Sequence, residues 1–188
     1  MRTRKVPEER RQDLVLAAFQ LLAEKGFEGL RTRDVATRAG VNIATLHYYF
    51  PTKEALIGGV VEYVMGRFQS TLAPHGSADA QLMDHLRAVR RLLRDEPEVG
   101  TVMGELALRS ARDPAIGALM RGTQDAWHKT MRALLRRGVK AGRLRPELDS
   151  DQAAALVIAT LTSLTLPLNA APRTDLALRQ LEKWLSSN

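Results

Sequence analysis

Residues 32–53 read TRDVATRAGVNIATLHYYFPTK, and the rest of the chain is best interpreted outward from them. Thr32 suits an N-cap, Val35, Ala36 and Ala39 recur at helical spacing, and Gly40 falls where a helix must stop on a residue tolerant of positive φ. Asn42 suits a second cap. The helix it opens, residues 43–49, turns Leu46 and Phe50 toward a core and leaves Thr45, His47, Tyr48 and Tyr49 largely outside; Pro51 ends it. Two short helices joined by a glycine-bearing turn form the unit that sets a recognition helix in a DNA major groove.

A plain helical hairpin with its aromatics in the core is the competing reading of the same spacing. Against it stand three consecutive rings, His47, Tyr48 and Tyr49, which a helix spreads over about 200° and cannot bury together.

Residues 26–56 carry G-F-x-G-L-x-T-R-x-V-A-x-x-A-G-V, then T-L-x-Y-Y-F, then P-x-K-E-A-L. In this order and density they resemble the tetracycline-repressor (TetR) family of bacterial transcription regulators. The resemblance covers about thirty residues and includes the placement of Lys53 just after the recognition helix. It departs from the family at His47, where the family usually has Tyr, so a phosphate contact made by a phenol would come from an imidazole or be missing. The resemblance implies an all-α homodimer of about nine helices, with an N-terminal three-helix head and a C-terminal helical bundle for ligand and dimerisation. It also implies a repressor released from a palindromic operator when a small molecule in the larger domain shifts the fourth helix.

Composition is compatible with this. A chain of 188 residues with 45% hydrophobic and 26% charged side chains is long enough for one or two packed cores. No Cys occurs, so disulfides and thiolate metal sites are excluded and a reducing cytoplasm is the simplest compartment. Neither a secretory leader nor a membrane span is visible; the longest apolar run, residues 153–168, falls short of the roughly 20 residues a bilayer demands. The net charge of +7 favours an anionic partner, nucleic acid first. Residues 1–56 hold ten basic and seven acidic side chains, net +3, which leaves +4 for the remainder. Arg2, Arg4 and Lys5 precede Pro7 as a basic arm, read either as a source of phosphate contacts or as an untethered tail.

Leu14, Ala17, Ala18, Leu21 and Leu22 trace one face of a first helix over residues 8–25, ended by Gly26. Thr52 caps a fourth helix that runs through Leu56, Val60 and Val64 to about Leu72. The expected domains are a helix-turn-helix head over 1–57 and an effector-binding and dimerisation domain over 58–188, divided inside this helix near Gly58 and Gly59. Residues 73–78 read as a loop. A fifth helix opens at Asp79 with Arg87, Arg90, Arg91 and Arg94 off its apolar face, either a solvated surface or a second anion site. Pro97 starts a sixth, Asp113-Pro114 a seventh reaching to about Ala141, and Ser150 an eighth extending to about Leu166. The eighth is apolar nearly all round, as a helix buried on both sides would be. A ninth covers residues 175–185.

An enzyme is a poor reading: the four histidines lie far apart, no metal-ligand spacing or phosphate-cradling glycine loop occurs, and no nucleophile is paired with a base. A DNA-binding protein without effector control, an architectural or recombination factor, is the other alternative. The expected partners are double-stranded operator DNA, a small apolar or amphipathic effector and a second copy of the chain, with no cofactor and no metal.

For DNA, position selects Arg31, Thr32 and Arg33 at the start of the second helix and Asn42, Ile43, Ala44, Thr45, His47 and Tyr48 on the third, with Lys53 beyond it. Arg33 is placed to read guanine, unless it is only a solvated charge; Ile43, Ala44 and Thr45 suit thymine methyls; Thr45, His47, Tyr48 and Lys53 suit phosphates. For the ligand, Met65, Phe68, Leu86, Val89, Met103, Leu106, Trp127 and Met131 supply apolar walls, with Thr123, His85 and His128 as polar groups; each singly also reads as plain core. For the dimer, the eighth and ninth helices offer Val157, Leu161, Leu164, Leu178, Leu181 and Trp184.

Overall fold

Nine helices appear among the described residues of the computed structural model, which are 7–72, 76–165 and 171–186. They are α1 (Pro7–Gly29), α2 (Thr32–Arg38), α3 (Ile43–Tyr49), α4 (Lys53–Gln69), α5 (Ala78–Asp95), α6 (Pro97–Ser110), α7 (Pro114–Lys140), α8 (Ser150–Ser163) and α9 (Ala171–Leu185). The fold is all-α. The basic arm of Arg2, Arg4 and Lys5, residues 73–75 of the expected loop, and Leu166 lie outside the described residues.

The helix ends follow their capping chemistry. Asn42 Oδ1 accepts from the Thr45 amide at 2.7 Å, Thr52 Oγ1 from Ala55 at 3.1 Å, and Asp113 Oδ1 from Ala115 and Ile116 at 3.1 and 3.3 Å. Asp149 accepts from the amides of Asp151 and Gln152, which hold its carboxyl below the usual range. One cap is displaced: Thr32 is the first residue of α2, and Arg31 occupies the capping place without a side-chain bond. The fifth helix likewise begins one residue early, at Ala78 after Ser77, and α4 ends at Gln69, three residues before Leu72.

Two compact units emerge. The first comprises Met1–Met65 with Val102–Met120. Its core is made by Leu14, Ala18, Leu22, Val35, Leu46, Leu56, Ile57 and Val60, each fully enclosed. Burying a Leu or Ile of this kind stabilises by about 1.5–3 kcal/mol, so α2 and α3, too short to persist alone, are held by packing, α2 on α1 and α3 on α2. Gly26 kinks α1 at φ 67°, ψ −178°, a conformation only glycine adopts freely. The kink presents the Phe27 amide to Glu105 Oε2 of α6 at 3.0 Å.

The second unit comprises Gly66–Thr101 with Arg121–Asn188. Leu82, Leu86 and Val89 of α5, Met131 and Leu135 of α7, Val157 and Leu161 of α8 and Leu185 of α9 fill its core. Gly138 permits Leu144 to fold onto α7, since a Cβ there would lie 2.6 Å from the leucine Cδ1. Arg67 and Glu96 form an ion pair. Two of the four arginines of α5 are not bare solvated charges: Arg87 reaches Glu182 at 3.2 Å and Arg90 reaches Asp175 at 2.5 Å, both on α9. That pairing joins residues far apart in sequence, which helical periodicity within α5 cannot register.

The eighth helix is less enclosed than its composition suggests. Ala153, Ala154, Val157, Ile158 and Leu161 are buried, while Ala155, Leu156 and Ala159 are exposed.

Candidate functional site

In α3 the positions that face inward and outward separate cleanly. Leu46 and the following Phe50 are buried, which fixes the helix rotation; Ile43, Ala44, His47 and Tyr48 are exposed, Tyr48 to 80%. Thr45 is half-buried and its hydroxyl bonds Asn42 Oδ1 at 2.8 Å, so both residues serve the cap. Tyr49 is half-buried with its ring edge-on to Tyr48 at 5.1 Å.

Before it, Gly40 takes φ 65° and lets the chain turn from α2 into α3. Arg31 and Arg33 are exposed and form no ion pair among the described residues, whereas Thr32 is half-buried. Arg38, on the same short helix, is committed elsewhere: two of its nitrogens grip Glu24 of α1 at 2.7 Å each. This hydrogen bonding lowers the Glu24 carboxyl below its ordinary value and raises Arg38. Two guanidinium groups are thus exposed at the start of α2, the helix that packs against α3.

Lys53 is held rather than free. Its Nζ donates to the Phe27 carbonyl at 3.4 Å and lies 4.6 Å from the centre of the Phe27 ring. An ammonium has three donors, so two remain for an oxyanion outside. The other face of the local arrangement is supplied by Arg109, whose guanidinium lies 4.5 Å from the same ring and whose Nη1 reaches Glu28 at 3.3 Å. Glu105 and Arg109 were not legible as site neighbours. Their spacing along α6 gives a helical pair, but nothing in it names Phe27, 78 residues away from Glu105.

Of the expected ligand residues, the second unit brings Phe68 and Trp127 together, with ring centres 5.9 Å apart, and sets Leu86, Val89 and Met131 in its core. His85 is fully buried there. Its Nε2 is 3.3 Å from Trp127 Nε1 and its Nδ1 2.7 Å from Thr71 Oγ1, and that hydroxyl is 2.6 Å from the Phe68 carbonyl oxygen. Burial pushes the imidazole down to about 4. Thr71 had no signal in the sequence; only folding sets it against His85. Thr123 and Trp127 are half-buried. His128 turns to α8, with Nε2 3.3 Å from the Asp151 carbonyl oxygen. Met65, Met103 and Leu106 belong to the first unit, where Met65 and Leu106 are buried and Met103 is half-buried.

Of the expected dimer residues, Val157, Leu161, Leu178 and Leu181 are enclosed within the chain itself, and Leu164 and Trp184 are half-buried. The large apolar side chains that α8 and α9 expose are Leu156 at 46% and Leu176 at 61%. Among the described residues no helix is long and apolar enough to cross a membrane, and no group of three or more His, Cys, Asp or Glu comes together as a metal site.

Comparison with known proteins bears on both parts of the chain. Residues 14–60 match a family model described as bacterial regulatory proteins, tetR family, and residues 72–182 match one described as tetracyclin repressor-like, C-terminal domain. The HTH-type transcriptional regulator RutR of Escherichia coli K12 is 28% identical over 144 residues, 73% of this chain and 65% of RutR. The matched region thus spans just under two thirds of that relative. The HTH-type transcriptional repressor KstR2 of Mycolicibacterium smegmatis is 25% identical over 149 residues, 77% of this chain and 72% of its own. A transcriptional regulator of Saccharomonospora viridis, solved in complex with choline, superimposes with a TM-score of 0.75 over 96% of this chain and 100% of its own; at 24% identity that likeness speaks for the fold alone.

Proposed function

The chain belongs to the tetR family of bacterial regulatory proteins, and from that premise we propose that it is a ligand-responsive transcription regulator that represses from a palindromic operator. The observation that carries this reading is the exposed side of a capped α3, packed against a helix whose start carries two arginines without an ion pair among the described residues. An Asn42-capped helix, anchored by Leu46 and Phe50, exposes Ile43, Ala44, His47 and Tyr48, and the start of the helix packed against it exposes Arg31 and Arg33. In a major groove Arg33 reads guanine O6 and N7, Ile43 and Ala44 meet thymine methyls, and His47, Tyr48 and Lys53 take phosphates. Residues 1–57 form the reading head and residues 58–188 the effector and dimer domain.

The effector is an apolar or amphipathic small molecule that meets Phe68, Trp127 and their neighbours. A small organic effector is in keeping with the Saccharomonospora regulator, which was solved in complex with choline. Only a difference in its affinity for the DNA-bound and released states drives release. The chain acts in the cytoplasm, catalyses nothing and pairs with its copy through α8 and α9. Since Val157, Leu161, Leu178 and Leu181 are already enclosed, the contact surface is the open side of those helices, with Leu156, Leu164 and Leu176.

A footprint on the DNA upstream of the protein's own gene, repeated with Arg33→Ala and His47→Ala, tests the reading. Protection of two related half-sites, lost in the variants, supports it; protection with no sequence preference marks an architectural DNA-binding protein instead.

A further inference from the structure

The DNA-reading head does not account for the positive charge of this chain, since +4 of the +7 lies beyond residue 56. Part of that excess converges on one concavity in the second unit. An open groove of about 720 Å³ is walled by Met83 and Arg87 of α5, Arg145 of the segment after α7, and Arg179, Lys183 and Trp184 of α9. Its volume is within the range of small-molecule sites.

The carboxylates nearby are already used. Glu182, the one acid lining the groove, is bound by Arg87 at 3.2 Å, and Asp175, two turns earlier on α9, by Arg90 at 2.5 Å. Arg179, Lys183 and Arg145 have no carboxylate partner among the described residues. Arg145 is moreover pre-set. Its Nε donates to the Ser186 carbonyl at 3.2 Å and its amide to the Leu185 carbonyl at 3.4 Å, so the guanidinium is fixed along one edge while its outer nitrogens stay available. A half-buried guanidinium with a fixed orientation suits a planar oxyanion, because little freedom is left to lose on binding. Trp184 and Met83, both half-buried, add apolar surface to the same wall.

We propose that this groove is a second ligand site, separate from the His85–Trp127 core, for a flat ring that carries a carboxylate or phosphate. Arg145 and Arg179 take the oxyanion, Lys183 adds to the field, and Trp184 meets the ring. A bound anion relieves the mutual repulsion of three cations that have no carboxylate partner among the described residues, and an indole discriminates a ring from a bare ion.

The full-length chain carrying Trp127→Phe leaves Trp184 as its sole indole. Its emission is titrated with phenyl phosphate and with benzoate; whichever binds more tightly identifies the source of the oxyanion. The expected result is a saturable change that weakens as salt rises, with inorganic phosphate and benzyl alcohol each binding less well than the joined molecule. Arg145→Gln with Arg179→Gln raises Kd about tenfold or more, the equivalent of losing one charge-assisted contact. Arg179→Gln alone, an exposed position, moves Kd in the same direction and guards against loss of fold in the double variant. No saturable signal from either ring anion at millimolar concentration, or a Kd that ignores both arginines, overturns the proposal. So does an arginine-dependent signal given by a short random duplex and not by the ring anions, because the groove then belongs to nucleic acid.

Discussion

Trp127 faces His85 across 3.3 Å, and this contact settles which imidazole nitrogen carries the proton. The indole N–H can only donate, so Nε2 must accept. The hydrogen therefore sits on Nδ1 and is given to Thr71 Oγ1, whose own hydrogen goes to the Phe68 carbonyl. The relay runs in one direction and every member is satisfied, which is why a neutral histidine survives complete burial.

A pH dependence follows from it. Unfolded, His85 takes a proton below about 6.5; folded, burial delays protonation to about 4. In between, the unfolded chain binds more protons, so stability contributed by the neutral relay is complete above pH 6.5 and is lost as pH falls toward 4. Urea midpoints measured across that window should decline on acidification. His85→Gln, which can accept from Trp127 and donate to Thr71, should flatten the decline. An identical slope in wild type and variant would place the titration elsewhere.

Arg33 and Arg38 lie on the same short helix and are expected to behave differently. Arg33→Ala should weaken operator binding by ~1–3 kcal/mol and relax preference at one position of each half-site. Arg38→Ala removes a guanidinium already gripped by Glu24 and should leave sequence preference alone. Selection from a randomised operator library checks both; if the two variants select the same sites as wild type, Arg33 takes no part in readout.

Gly26→Ala should destabilise the first unit by about 1–3 kcal/mol, because φ 67° with ψ −178° is strained for any residue with a side chain. The added methyl would also meet Glu105 Oε2 at 3.2 Å. Thermal melting reads the loss. An unchanged melting temperature would mean that the kink at Gly26 is not needed.

Charge placed on the open side of α8 and α9 should separate two subunits without unfolding either. Leu156→Glu with Leu176→Glu does this at exposed positions, and sedimentation should show monomers with an unchanged helical spectrum. Leu161→Glu is the wrong probe: Leu161 is enclosed in its own chain, so a carboxylate there attacks the protomer. A wild-type monomer at micromolar concentration would remove the dimer from the proposal.

The helices were largely legible because their signals are local. Asn42, Thr52 and Asp113 cap where their chemistry asks, and Leu46 with Phe50 set the rotation of α3 as their spacing requires. What escaped depends on partners distant in sequence. Arg87 and Arg90 look like solvent-facing charges until α9 supplies Glu182 and Asp175, and Lys53 looks free until the kink at Gly26 brings Phe27 beneath it. The apolar character of α8 was visible, but not which of its sides the same chain would cover.

The residues of α3 and its two flanking caps include some that secure the helix and some that do not. Leu46 and Phe50 anchor the helix, and Asn42 with Thr45 closes its first turn. Ile43, Ala44, His47 and Tyr48 are exposed, so mutation can sample them while the scaffold stays intact. On the proposed reading of these four side chains as operator contacts, new operator preferences lie within one or two codon changes, and a duplicated gene gains its own targets before its proposed ligand response diverges.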